Sequence, residues 1–321
     1  MGVADLHERL DSGPALILDG ANGAELQDMG VPMHGEIWCA TALATHPDSV
    51  RRLHEDYIHA GADIITTNSY ASSPHNLEAA GLGGRAVELN AISVKLAREA
   101  IANAAPDRPV WVAGSMSSFG VYAVTRKGRP LLPFPVLEES YRRQAHALAD
   151  AGADFLLLEM IREGEHGSAL LRAALETGLP VWVGLSCSLS PDGEVKMLSE
   201  VEFRDPSDLD FLETLDSLMS IGGSLLAVMH SDVPHVGPAL KAALSKWPGP
   251  LAAYANSGTS MYAKSGIVSG VPESELLDAV SPEVYLEYAR EWLDLGARVV
   301  GGCCGIGRKH IRRLSEGLRA S

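Results

Sequence analysis

"ALADAGADFLLLE", residues 147–159, passes from one kind of structure to another within a single short stretch. Its first half closes a helical pattern over 138–152, with apolar residues three and four apart and a final Ala-Gly. Glycine at that place ends a helix. Its second half, 153–159, is an unbroken apolar run that finishes on an acid. A run that short and apolar on both faces reads as a parallel strand covered on both sides. Similar runs lie at 15–19, 62–67, 109–114, 180–186, 224–229, 251–255 and 297–302, which makes eight with 153–159. Helical patterns at 47–61, 84–104 and 281–296 stand between them. Eight strands alternating with helices favour a closed α/β architecture, the (β/α)8 TIM barrel, over an open doubly wound sheet. No Ser/Gly/Pro linker or charge block interrupts the chain, so residues 1–321 are expected to form a single domain.

Composition narrows the function classes. The chain has 46% hydrophobic and 21% charged residues, as a well-packed globular enzyme does. A formal charge of −15 and an isoelectric point near 5.1 oppose phosphate backbones and anionic lipid, so neither nucleic acid nor membrane is expected as a partner. The opening "MGVADLHERLDSG" has neither a basic nor an apolar leader segment, and no long apolar span follows, which predicts a cytoplasmic protein. In that compartment Cys39, Cys187, Cys303 and Cys304 stay reduced, and metal binding or catalysis becomes the first use to consider for them.

In a barrel the strand C-termini carry the chemistry. Cys303 and Cys304 directly follow the run at 297–302, inside "VVGGCCGIG" (299–307). Consecutive strand residues point in opposite directions, so both sulfurs can face one ion only where the glycines break the strand. The other readings of this pair are two small buried residues beside a tight turn, or a redox-active vicinal pair. A metal needs a further ligand, and strand ends offer His230 in "AVMHSDVPHV" and Cys187 in "GLSCSLS", with Asp232 and His235 in the loop of His230. Cys39 in "EIWCATAL" reads as packing. Asp19, Thr67, Asn68, Glu159, Asn256 and Ser257 also end strands, and the long insertions at 115–135 and 256–276 are placed to cover the mouth.

Taken together, "LILDGANGAEL" (16–26), "HAGADIITTNSYASSP" (59–74), "LLLEMIREGEH" (156–166), "AYANSG" (253–258) and the GGCCG terminus resemble the homocysteine S-methyltransferase family over nearly the whole chain. The resemblance implies a zinc-dependent barrel in which Cys303 and Cys304 are metal ligands. It implies further that Glu159, with the backbone around Gly20, Ala21 and Asn22, engages the amino-acid part of homocysteine. Thr67, Asn68, Asn256, Ser257 and Asp19 would complete that pocket. Two departures stand out. The family's third cysteine, after the sixth strand, is replaced by His230, and Ala24 stands where a hydroxyl residue is usual. A Cys2His set with one open position is a known catalytic zinc arrangement, so His230 is expected to take the missing place, with Cys187 as its rival.

Zinc suits such a reaction because a free thiol, with a pKa of about 8.5, is mostly protonated at neutral pH, whereas a coordinated thiol is deprotonated. The implied activity is methyl transfer from an onium donor to homocysteine, giving methionine. The donor is expected to be a sulfonium of the S-methylmethionine or S-adenosylmethionine type in preference to betaine. Trp38, Tyr70, Phe119, Tyr122 and Tyr254 are the aromatic candidates for holding it. A different thiol acceptor, and a non-catalytic or redox-responsive protein that has lost the third cysteine, are the competing readings.

Overall fold

The computed structural model describes residues 3–119, 132–199, 206–257 and 280–319. Eight parallel strands form the sheet that the apolar runs predict: β1 (Leu16–Ile17), β2 (Ile64–Thr66), β3 (Trp111–Ser117), β4 (Phe155–Ile161), β5 (Val181–Leu185), β9 (Leu225–Asp232), β10 (Leu251–Asn256) and β11 (Ala297–Gly302). Their order is β1-β11-β10-β9-β5-β4-β3-β2, and a parallel bridge between Leu18 and Ile64 joins the two ends. Helices between successive strands lie outside this ring, giving a (β/α)8 TIM barrel.

The pleat explains why the strands read as continuously apolar. Ile17, Val112, Leu156, Leu158, Val183, Leu226 and Val300 pack outward beneath the helices. Leu16, Leu18, Ile64, Trp111, Phe155, Leu157, Trp182, Leu225 and Val299 fill the interior. Phe155 and Trp182 meet there with ring centroids 4.0 Å apart. Burying each such side chain contributes about 1.5–3 kcal/mol. The glycine signals also hold: the helix Pro47–Ala60 ends on Gly61 in the left-handed region at φ 107°, which a Cβ would disfavour.

Two elements were not anticipated. The N-terminal helix Val3–Ser12 inserts Leu6 and Leu10 into the interior cluster, and Arg298, at the start of β11, hydrogen-bonds the carbonyls of Leu10 and Gly13. That helix therefore plugs the barrel at the end opposite the strand C-termini. After β5 the chain also forms an antiparallel sheet of β6 (Cys187–Leu189), β7 (Val195–Leu198) and β8 (Pro206–Asp210). Most of the two long insertions lies outside the described residues. Among the described residues no helix is long and apolar enough to cross a membrane.

One core residue carries a pH dependence. His54, in the helix Pro47–Ala60, is fully buried, and neither ring nitrogen has a partner among the described residues. Burial lowers its pKa to about 4 from an ordinary 6.5. Between those values the unfolded chain binds a proton that the folded chain refuses, so stability falls as pH drops through the window and is fully present above it. Lowering the pH from 7 to 5 should therefore cost about 2 kcal/mol through this residue. His54→Leu should shrink the pH 7-to-5 shift in the urea midpoint; an unchanged shift would show that His54 does not contribute it.

Candidate metal centre

The paired cysteines reach the barrel mouth because the β11 backbone runs unusually close to its neighbours. A Cβ on Gly301 would collide with Leu18, and one on Gly302 with Ile306. Alanine at either position would push the strand away from β1 or unwind the turn that follows. The turn itself is fixed by backbone bonds: Cys303 N donates to Ala255 O, Ile306 N to Cys303 O, and Ala21 N to Ile306 O. Asn256 Oδ1 accepts from Cys304 N at 3.1 Å, and Ser257 N donates to Cys304 O at 2.8 Å. The Tyr285 hydroxyl donates to Gly301 O and accepts from Ala255 N, pinning the ends of β10 and β11 together. Leaving the strand in this way is what lets two consecutive sulfurs share one side.

His230 arrives by a different device. Met229 packs into the interior, so regular alternation would send the next residue outward. Instead His230 has φ 46°, and the pairing of β9 with β10 shifts register between Tyr254 and Asn256. This local bulge turns His230 back toward the mouth, at the roughly 1–3 kcal/mol that a non-glycine left-handed residue costs. β4 repeats the device: Met160 has φ 57° with a register shift between Leu158 and Ile161, so Glu159 and Met160 both face inward.

The three side chains meet. His230 Nδ1 lies 3.6 Å from Cys303 Sγ and 3.5 Å from Cys304 Sγ, and the two sulfurs are 3.8 Å apart. Tetrahedral zinc, with sulfur at about 2.3 Å and nitrogen at about 2.0–2.1 Å, requires S···S of about 3.8 Å and S···N of about 3.6 Å. The donor triangle therefore fits zinc without rearrangement. The chemistry of the donors agrees: the Cys304 sulfur and burial push the Cys303 thiol well above its ordinary range. Such a thiol keeps its proton until a cation displaces it.

Cys187 lies outside this cluster. It is fully buried, its backbone N–H donates to Ser231 Oγ, and burial raises its thiol to about 12. Cys39 is buried as expected and donates to Asn68 Oδ1, while Asn68 Nδ2 donates to Cys39 O. Helix Val233–Leu244 begins beyond Asp232 and carries His235.

Glu159 is the mouth's carboxylate nearest in character to a ligand-binding group. Burial raises its pKa to about 7, against the pull of the Ser115 and Tyr254 hydroxyls and the His230 ring. Ser115 Oγ donates to it directly. Asp19, raised to about 8 mainly by burial, is engaged otherwise: it accepts from Thr66 N and Thr66 Oγ1, both at 2.8 Å, and so ties β1 to β2. Asn22 Nδ2 donates to Thr66 O, reinforcing the same seam. Gly20 lies so close to Ile306 that a side chain there would strike its carbonyl. Thr67 Oγ1 bonds Ser69 and accepts from Ser115 N, and Ser257 Oγ accepts from Val280 N.

Among the aromatic candidates, Tyr70 and Phe119 pair with centroids 5.3 Å apart at 49°. Both are half-buried over the interior cluster, as is Cys303. Tyr254 is buried within that cluster, Trp38 packs over Gly23, and Tyr122 lies outside the described residues. Two methionines at the site escaped sequence reasoning. Tyr70 hydroxyl donates to Met160 Sδ at 3.0 Å, and Met160 N to Met229 Sδ at 3.1 Å. Nothing in an apolar strand marks a methionine whose neighbour will bulge.

With this geometry in place, comparison with known proteins is informative. A family profile described as Homocysteine S-methyltransferase matches residues 16–318. A homocysteine S-methyltransferase of Bacillus subtilis, YbgG, is 28% identical over 97% of this chain and 96% of its own length. A selenocysteine methyltransferase of Astragalus bisulcatus is 27% identical over 94% of this chain and 92% of its own. The metallated form of the Escherichia coli homocysteine methyltransferase MmuM superposes with a TM-score of 0.75 at 25% identity, over 97% of this chain and 99% of that one.

Metal analysis tests the triangle. Protein purified without chelator should carry about one zinc per chain. His230→Ala should lose most of it and Cys187→Ser should keep it; zinc retained by the alanine variant would exclude His230 from the ligand set.

Proposed function

The chain belongs to the homocysteine S-methyltransferase family, and from that premise we propose that it transfers a methyl group from a sulfonium donor of the S-methylmethionine type to homocysteine, using zinc held by His230, Cys303 and Cys304. The observation that carries this reading is the fit of the Cys2His triangle to a tetrahedral ion with one position left over. When bound, zinc supplies the charge that keeps the acceptor sulfur deprotonated at neutral pH.

The remaining work falls to the chain's own side chains. Glu159, half-buried beside Ser115, would take the ammonium group of the acceptor amino acid, whose charge would bring the carboxylate's pKa down from about 7. Asp19, Thr67 and Asn68 are occupied in joining β1, β2 and the Cys39 segment, so their part is to hold the pocket wall in shape. Asn256 and Ser257 hold the cysteine turn. Tyr70 and Phe119, paired at an angle over the interior cluster that Cys303 also packs against, offer ring faces to a sulfonium methyl, and the Met160 and Met229 thioethers supply polarizable wall.

A selenol acceptor is the second reading, favoured by the similarity to a protein named selenocysteine methyltransferase. The two readings share donor and metal.

The proposal is tested by incubating zinc-loaded protein with homocysteine or selenocysteine and each of S-methylmethionine, S-adenosylmethionine and betaine, with mass-spectrometric detection of product. Methionine should form with a sulfonium donor, fastest with S-methylmethionine; no methylated product from any pair would overturn the reading. Replacing neutral His230 by a thiolate makes the ligand set one charge more negative and the acceptor sulfur more electron-rich. His230→Cys should therefore raise the transfer rate several-fold, up to about tenfold. An equal or lower rate at full zinc occupancy would refute this electronic role.

A further inference from the structure

β3 carries two serines to the mouth, and each serves a different part of it. Trp111 and Ala113 point into the barrel interior, so Ser115 and Ser117, at alternate positions of the same strand, share that side. Ser115 donates to Glu159, whereas Ser117, opposite Glu159 in the register of β3 with β4, turns to the aromatic pair. Its side chain is fully buried, and its hydroxyl donates to Tyr70 O at 2.7 Å while accepting from Phe119 N at 3.1 Å. One side chain thus bridges the backbones of both rings. Strand pairing cannot do this work, because β2 ends at Thr66 and β3 at Ser117, each before the ring it leads to. Two further bonds steady the same segments: Asn76 Nδ2 donates to Phe119 O at 2.7 Å, and Ser69 Oγ donates to Ser115 O at 2.7 Å. From there the Tyr70 hydroxyl reaches Met160 Sδ, and Met160 N reaches the sulfur of Met229, the residue before His230. The ring pair is in this way joined to the ligand triangle.

We infer that Ser117 is a positioning residue that fixes the relation between Tyr70 and Phe119, and through it the preference of the site for a positively charged donor group. The inference rests on the reading that these rings receive the sulfonium. A cation is attracted to the face of an aromatic ring and repelled by its edge. Two rings 5.3 Å apart and tilted by 49° can both turn faces to one onium group only while their backbones keep this relation. A hydroxyl suits the task, having one proton to give and lone pairs to receive. In Ser117→Ala the Tyr70 carbonyl and the Phe119 N–H lose their shared partner, and each backbone is free to settle separately. Because the positive charge disappears as the methyl group leaves, contact with the rings is strongest before reaction. Its loss therefore falls on donor binding more than on the rate of transfer.

The discriminating probes are S-methylmethionine and homoleucine, in which a CH group replaces the positive sulfur and the shape is kept. Binding of each is measured by calorimetry on the zinc-loaded protein, with steady-state kinetics against homocysteine in parallel. Wild type should prefer S-methylmethionine by about tenfold. Ser117→Ala should cut that preference to about threefold or less and raise the donor KM more than it lowers kcat, while zinc content and the homocysteine KM stay close to wild type. Ser117→Thr, which keeps the hydroxyl, should recover part of the preference. Phe119→Leu should lower it as far as Ser117→Ala does, and combining the two should change it little further, because no ring pair is left to position. Equal weakening of both probes by Ser117→Ala would make the serine a tether of the strand ends and overturn the inference, as would an undiminished preference or additive losses in the double variant. Should the alanine variant fail to fold, Ser117→Cys, similar in size but a weak donor and acceptor, takes its place with the same deciding outcomes. The expected preferences without methyl transfer would sink the methyl-transfer reading alone. A wild type that binds neither probe, or is indifferent to the charge, would sink the inference.

Discussion

The close approach of the β11 backbone to its neighbours is the constraint on which the site depends. Without side chains at Gly301 and Gly302, the strand can lie against Leu18 and still fold back under Ile306. That path leaves the regular pleat one residue before the cysteines and delivers both sulfurs to the same side. The Tyr285 hydroxyl and the Asn256 side chain then lock it from the neighbouring strand. Rigidity matters because ligands held in advance at the spacing of a tetrahedral ion spend little binding energy on ordering the chain.

Conformational strain does comparable work on the other wall. Met160 and His230 are both non-glycine residues in the left-handed region, each at a register shift in its strand. Each shift converts one inward-facing position into two. β4 thereby contributes an acid and a thioether, β9 a thioether and an imidazole, and the two bulges meet through the Met160 N–H and the Met229 sulfur. Dense interior packing below, with Phe155 against Trp182, holds these strands so firmly that a strain of a few kcal/mol can persist at their ends.

This division explains what the sequence could disclose. Strands covered on both faces must be apolar at every position, so their eight runs stand out, and helix-closing glycines such as Gly61 and Gly152 mark where several begin. Paired cysteines between glycines are equally visible, because no ordinary core asks for them. A bulge has no such signature: "AVMHSD" reads as regular strand to its end, and the inward turn of His230 follows from pairing with β10. The N-terminal plug was hidden for a related reason. Leu6 and Leu10 make a modest amphipathic pattern whose partner is the barrel interior, a surface that exists only once the ring has closed.

Electrostatics then connects these features to the proposed chemistry. Transfer of a methyl group from a sulfonium to a thiolate cancels two opposite charges as the new bond forms. The transition state is therefore less polar than the reactants, and a mouth lined by Tyr70, Phe119 and two thioethers favours it over water. The same apolar lining makes binding the charged donor difficult, since its charges lose solvent before they gain partners. Aromatic faces answer for the sulfonium. A neutral imidazole in the ligand set lessens the repulsion between sulfur and carboxylate during entry, at the expense of some nucleophilic strength in the step that follows.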